Sequence, residues 1–173
     1  MSLIIREEIN DDISQIYDLI AAAFGRASEA ELMDLLRAAD ALILSHIALL
    51  DSEIVGQAAY SLVTVTEADA IHHCPALGPI AVAPSYQRTG IGSMLVRAGL
   101  KALTEAHYPL LFLVGHVSYY PRFGFQPALP LGFTSDYVQP DGPHEHFMVA
   151  TLDAQLSRNI RGHVRFHPAF DAV

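Results

Sequence analysis

Between Ala76 and Val114 the hydrophobic pattern changes period twice, and this constrains the fold more than any other stretch. Ala76 to Val82 is a nearly all-apolar run. The next apolar positions, Ile91, Leu95, Ala98 and Ala102, recur at helical spacing between about Gly90 and Ala106, and Leu110 to Val114 is apolar at every position. A run apolar on both alternating faces suits a strand covered on both sides, so this strand, helix, strand order predicts a parallel pair joined by a right-handed crossover. The flanking sequence fits such a sheet. Leu3–Glu7 reads as a strand. Ile13, Ile16, Tyr17, Ile20 and Phe24 mark a helix with Asp12 and Gln15 as its cap pair, and Ser28-x-x-Glu31 opens a second helix as a capping box. Ala41–Leu50 and Ile54–Thr66 form a hairpin about Asp51-Ser52-Glu53, and Phe147–Leu152 is a last core strand. A mixed sheet with helices on both faces, a three-layer αβα architecture of the α+β kind, is the economical arrangement.

A chain of 173 residues, 51% hydrophobic and 17% charged, can bury about 70% of its unfolded surface and needs no disulfide or structural metal. One domain is expected over residues 1–152, with 153–173 as an extension packed on the domain or on a partner. Ala41–Leu50, the longest apolar stretch, is interrupted by Ser45 and His46 and falls far short of the ~18 residues of a membrane span. No membrane association is expected. The N-terminal run Leu3-Ile4-Ile5 is too short for a secretory leader, and Cys74 is the single cysteine, so a cytoplasmic location is expected. A homo-oligomer is compatible with the sequence.

The net charge of −9 argues against nucleic acid, whose phosphates require a basic stripe. Its distribution is uneven. Residues 1–69 carry −10 and residues 136–173 carry −2, whereas residues 70–135 carry +3, with Glu105 their single carboxylate. That central stretch is therefore either deeply buried or suited to an anionic ligand.

Within it, the strand ending in Val82-Ala83-Pro84 is followed by Gln87-Arg88-Thr89-Gly90-Ile91-Gly92-Ser93 and a helix. Glycines let a backbone approach a ligand closely, and the first amides of a helix lack intrahelical partners, so this is an anion cradle that Arg88 reinforces. A P-loop would need Gly-Lys-Ser/Thr, which is absent. A dinucleotide fingerprint would need a third glycine where Leu95 stands and an acidic residue near Leu111 and Phe112.

The pattern Gln87-x-x-Gly90-x-Gly92 after a Val-x-Pro strand end resembles the coenzyme A motif of the GCN5-related N-acetyltransferase (GNAT) family. A second segment, Ser118-Tyr119-Tyr120-Pro121-Arg122-Phe123-Gly124-Phe125, looks like the family's aromatic-Tyr-x-x-x-Gly-Phe stretch. Together with Leu77-Gly78-Pro79-Ile80-Ala81-Val82 and the late His167-Pro168-Ala169-Phe170, they resemble a bacterial branch of N-acetyltransferases over about residues 3–152. The resemblance implies the acyl-CoA N-acyltransferase fold, a mostly antiparallel mixed sheet with a central splayed parallel strand pair. It implies acetyl-CoA as cosubstrate, with its pyrophosphate on the amides of Arg88, Thr89, Gly90, Ile91, Gly92 and Ser93, Gln87 beside them, and its arm along Ile80, Ala81 and Val82. It also implies Tyr120 as general acid. A phenol of pKa near 10 can protonate a departing thiolate of comparable basicity. Tyr119, Phe123 and Phe125 are read as core-filling aromatics.

The activity so implied is acetyl transfer to a primary amine by direct attack through a tetrahedral intermediate. An ammonium must first lose a proton, for which His116 leads the candidates over Glu67, Asp69, His72 and His73, with ordered water as an alternative. Adjacent ligand types in His72-His73-Cys74 point to opposite strand faces, and His144-x-His146 lacks a third ligand, so no metal is expected. Cys74 has no base beside it in sequence, which disfavours an acyl-cysteine route. The acceptor is a small-molecule or peptide amine, cationic because the N-terminal region at −10 contributes to its side. The alternative class is an acetyl-CoA-binding sensor or regulatory module without turnover.

Overall fold

Strand β1 (Leu3–Glu7) runs antiparallel to β2 (Leu42–Leu50), pairing Leu3 with Leu50 and Glu7 with His46, in a computed structural model describing residues 2–139 and 141–173. Asp51 and Ser52, both at positive φ, turn β2 into β3 (Glu53–Glu67), and the hairpin pairs from Leu50–Glu53 out to Leu42–Ser61. The chain divides into two compact units: Met1–Ser61, Gly78–Leu100 and His167–Val173 make the first, and Leu62–Leu77 with Lys101–Phe166 make the second. Three elements, β3, β4 (Ala70–Val82) and α3 (Ile91–Glu105), pass along the chain from one unit to the other.

In the first unit, α1 (Ile13–Phe24) and α2 (Ser28–Ala38) bury Ile16, Ile20 and Met33 against Ile47, Ala59 and Ala81. The other face of β3 receives α3. A Cβ on Gly56 would stand 2.9 Å from Ile91 Cγ2 and 3.0 Å from Leu95 Cδ1, so the missing side chain lets the helix lie close. Successive strand residues face opposite sides, which is how Gly56 meets α3 while Ala59 meets the α1/α2 layer. Phe170 in the closing turn Pro168–Ala172 packs on Leu32 and Leu36 of α2.

Neither expected helix cap forms. The Asp12 carboxylate instead accepts from both terminal nitrogens of Arg6 (2.7 and 3.0 Å) and from the Ile9 amide (2.8 Å). A bidentate ion pair with a guanidinium supplies two charge-assisted bonds at once, so the Arg6 partner wins. Ser28 is the first residue of α2, and its cap position is Ala27, with no side-chain cap bond.

In the second unit, β4 pairs in parallel with β5 (Leu110–Val114) at Ala76–Phe112 and Leu77–Leu113, and β4 then runs on to Val82 beyond the last described pair. The expected strand at 76–82 thus begins six residues earlier, at Ala70; the polar His72 and His73 conceal its start. β5 is antiparallel to β8 (Phe147–Thr151) along its whole length, and β6 (Gln126–Pro127) flanks β8. The sheet is mixed and mostly antiparallel, as expected. It holds a second parallel contact that the sequence did not suggest: β7 (Phe133–Ser135) pairs in parallel with β9 (Gly162–Arg165), which pairs antiparallel with β3 at Thr64–Arg165. The core here centres on Phe112, edge-on to Phe133 (5.1 Å) and stacked on Phe147 (5.9 Å). A short helix, α4 (Ala154–Ser157), is capped by the Asp153 carboxylate, which accepts from the Gln155 and Leu156 amides. No helix among the described residues is long and apolar enough to cross a membrane.

Candidate functional site

The glycine-containing segment lies in the first unit. After Val82, the Ala83 amide donates to the Val55 carbonyl (2.9 Å) and a 3-10 turn, Pro84–Tyr86, reverses the chain. Gln87 ties that turn down, its Nε2 donating to the Val82 carbonyl at 3.1 Å, and the Thr89 hydroxyl donates to the Tyr86 carbonyl. Arg88 (φ +61°) and Gly90 (φ +95°) both take the left-handed conformation before α3 begins at Ile91. For arginine that conformation costs of order 1 kcal/mol, and such residues gather at ligand-binding loops. A Cβ on Gly90 would meet nothing within 4 Å, so backbone conformation, not crowding, calls for glycine there, and the approach to it is open. Residues 87–90 are exposed, Gly92 and Ser93 are half-buried, and the first turn of α3 carries no acidic residue. An open left-handed loop, a helix N-terminus and an exposed arginine fit a polyanion such as the phosphates of a coenzyme.

The β4 residues divide by face. Ala81 is buried against α1 in the core, whereas Ile80 and Val82 are half-buried. Ile91 is buried at the α3–β3 contact. Of these, Ala81 and Ile91 can offer a ligand their backbone only.

The aromatic segment lies in the second unit. β5 ends at Val114, and the Gly115 amide donates to the His146 carbonyl at 2.9 Å. The His116 carbonyl accepts from the Tyr119 and Tyr120 amides (3.2 and 3.4 Å), starting a 3-10 turn over Tyr120–Phe123 that Gly124 closes at φ +92°. Tyr120 is 8% exposed, and its ring stands edge-on to Tyr119 (5.0 Å) and Phe125 (5.8 Å). The Arg122 guanidinium lies 4.6 Å over the Tyr119 ring and also donates to the Tyr119 carbonyl, so the aromatic neighbours form a braced frame. The Tyr120 hydroxyl has no hydrogen-bond partner among the described residues. Burial, and secondarily Tyr119, push this phenol up to about 12. It keeps its proton at neutral pH.

His116 is exposed, and its backbone rather than its ring is engaged. The other base candidates, Glu67, Asp69, His72 and His73, lie along the β3–β4 turn, half-buried or exposed. Cys74 is buried, and burial pushes its thiol up to about 12, which leaves it unreactive as a nucleophile. Among the described residues, no three His, Cys, Asp or Glu side chains cluster to hold a metal ion. Sequence reasoning missed Gly115, whose lack of a side chain admits the Tyr120 ring; its place directly after an all-apolar strand is the only local signal of it.

Residues 5–128 match the family model described as an acetyltransferase (GNAT) domain. The chain belongs to the GNAT family. It is 33% identical over 159 residues to YjhQ, an uncharacterized N-acetyltransferase of Escherichia coli K12, covering 89% of this chain and 86% of that one. Among solved structures it resembles the E. coli GNAT-family N-acetyltransferase YhbS in complex with CoA, at 29% identity and a TM-score of 0.88, covering 98% of this chain and 92% of the other. It also resembles a GNAT acetyltransferase from Brucella melitensis in complex with acetyl-CoA, at 32% identity and a TM-score of 0.79, covering 98% and 99%. The expected family, fold, enzyme class and acetyl-CoA cosubstrate all agree with these relatives.

Proposed function

We propose that this GNAT protein transfers an acetyl group to a primary amine by direct attack, through a tetrahedral intermediate, with Tyr120 as the general acid. Acetyl-CoA supplies the activated acetyl thioester. The observation that carries the reading is a buried phenol, braced on two sides by aromatic rings, with a free hydroxyl. Such a group keeps its proton on Oη at neutral pH and stands ready as a donor to the departing thiolate.

The amides of Arg88 to Ser93 and the Arg88 side chain bind the coenzyme's phosphates, supported by the left-handed Arg88 and Gly90 and the carboxylate-free first turn. Gln87 serves by holding this loop to Val82. The β4 backbone at Ile80 to Val82 lines the arm and polarises the thioester carbonyl. The acceptor's proton passes to His116, with ordered water as the other route; His116→Ala decides, since a water route leaves kcat unchanged. A cationic acceptor is supported by the surplus of carboxylates in the first unit: Arg6, Arg26 and Arg37 take up Asp12, Glu29, Glu8 and Asp34, while Glu7, Asp11, Glu31 and Asp40 are exposed. The loop of residues 133–146 contributes to the acceptor side; Pro140 within it lies outside the described residues. Residues 153–173 belong with the catalytic fold, given the pairing of β9 with β3, and the single buried cysteine favours a reducing, cytoplasmic setting.

The test is CoA release over a panel of amines, comparing wild type with Tyr120→Phe. We expect kcat to fall about 100-fold, with acetyl-CoA affinity unchanged. Undiminished turnover in the variant removes Tyr120 from the mechanism. Tight acetyl-CoA binding without transfer to any amine favours the sensor reading.

A further inference from the structure

The second unit contains a cleft of about 330 Å³ whose lining shares only Phe133 with the acetyl-transfer reading. Its floor is apolar: Leu110 at the start of β5, Val149 in β8 and Phe133 in β7, each at most 3% exposed. Its rim carries Thr151, Arg158 and Arg161, and no carboxylate lines it. Neither arginine has an acidic partner among the described residues.

Arg161 is held where it is. Gly132, at φ +92°, leaves the space its stem occupies: a Cβ there would stand 2.5 Å from Arg161 Cδ, and the Arg161 guanidinium donates to the Ile160 carbonyl at 2.9 Å. That bond uses one of five N–H donors, so a fork remains for a ligand. The cleft lies at the Leu110 end of β5, whereas Tyr120 packs on Gly115 beyond the Val114 end. Five residues of strand place the two about 16 Å apart along β5.

We propose that this cleft is a second binding site, for a small carboxylate with an apolar body. The apolar part lies against the exposed Leu131 and Ala154, over the buried Leu110, Phe133 and Val149, and the carboxylate accepts hydrogen bonds from Arg158 and Arg161. A cavity near 300 Å³ is at the lower end of small-molecule sites and suits a medium-chain or aromatic acid. Planar guanidinium forks match the two oxygens of a carboxylate, and the apolar floor rejects a bare inorganic anion.

The probe is octanoate, titrated into the full-length protein by calorimetry and by amide-resolved NMR, with octanamide, acetate and octyl phosphate as comparators. Octanoate should bind one to one, shifting the Val149, Thr151 and Ser157 signals, and at least about tenfold more tightly than octanamide or acetate. Arg158→Gln and Arg161→Gln should each weaken it about tenfold while leaving the circular dichroism spectrum and acetyl-CoA binding intact. Absence of binding, equal binding of octanamide, or full binding by the double variant overturns the proposal. Tighter binding of octyl phosphate overturns the carboxylate assignment, and displacement of octanoate by acetyl-CoA overturns a separate site. None of these readouts depends on acetyl transfer.

Discussion

The Tyr120 ring occupies the space that a side chain at Gly115 would need: a Cβ there would lie 2.4 Å from Tyr120 Cε2 and 3.0 Å from Cδ2. The ring cannot easily yield, because Tyr119 and Phe125 close two of its sides. Gly115→Ala should therefore displace the phenol by a fraction of an ångström to an ångström. We expect stability to fall by about 1–3 kcal/mol, as for overpacked cores. We also expect kcat to fall by one to two orders of magnitude, with acetyl-CoA affinity retained. Steady-state kinetics beside calorimetric binding separates the two effects, and wild-type kcat in Gly115→Ala would count against Tyr120 as the acid.

Gly99 plays the corresponding part for Tyr60 in the first unit. Tyr60 is fully buried and donates to the Leu95 carbonyl at 3.3 Å; a Cβ at position 99 would lie 1.9 Å from its hydroxyl oxygen. Alanine is favoured over glycine by about 1 kcal/mol inside a helix, which opposes the collision. The collision is with a buried ring and should win. Gly99→Ala is expected to lower stability by a net amount of about 1–2 kcal/mol in urea unfolding, and an unchanged midpoint would mean that α3 moves outward at little cost.

Glu8 joins three elements through one carboxylate. It accepts from Arg37 Nε (2.9 Å) and from a second Arg37 nitrogen (3.1 Å) on α2, and from the Ser45 hydroxyl on β2; Gln57 on β3 in turn donates to Ser45 at 2.9 Å. Removing the carboxylate leaves a mostly buried guanidinium with only the exposed Asp34 as its acidic partner. Glu8→Ala should cost about 2–3 kcal/mol and Ser45→Ala about 1 kcal/mol. A double-mutant cycle should show coupling between them, and strict additivity would dissolve the network into independent bonds.

Alkaline stability carries the mark of two buried acids. Tyr120, ordinarily near 10, and Cys74, ordinarily near 9, are both pushed up to about 12 by burial. Each holds its proton more tightly when folded, so its contribution is complete below the unfolded value and is lost as pH rises through the folded one. Stability should decline from about pH 9 to 12. Tyr120→Phe and Cys74→Ala should each flatten that decline in chemical denaturation at fixed pH steps. Alkylation of Cys74 at pH 8 should proceed at the global unfolding rate; faster labelling would show the thiol to be accessible in the native state.

Helices α1, α2 and α3, the β2–β3 hairpin, β5 and β8 were legible because their apolar residues recur at period 3.6, at period 2, or without a break. The early start of β4 was not, since His72 and His73 interrupt the pattern in a strand whose edge is partly open. The cap prediction at Asp12 failed because cap preferences are local and worth about 1 kcal/mol, and a bidentate arginine six residues away takes the carboxylate; at Ser28 the helix starts one residue early, on Ser28 itself.

What the sequence by itself determined is the linear chemistry: the Gln87, Gly90 and Gly92 spacing at the head of a helix, Tyr120 within its aromatic run, and the carboxylate-poor middle of the chain. Those follow from residue type and separation, which the chain carries before it folds. Only the tertiary structure decided that Ala81 and Ile91 turn inward, that Gln87 bonds to Val82, that Tyr120 is buried with a free hydroxyl, and that Arg158 and Arg161 flank an apolar cleft. Burial, pKa and the pairing of charges depend on which distant segments close around a side chain, and residues such as Gly115 and Gly132 act through space they leave empty.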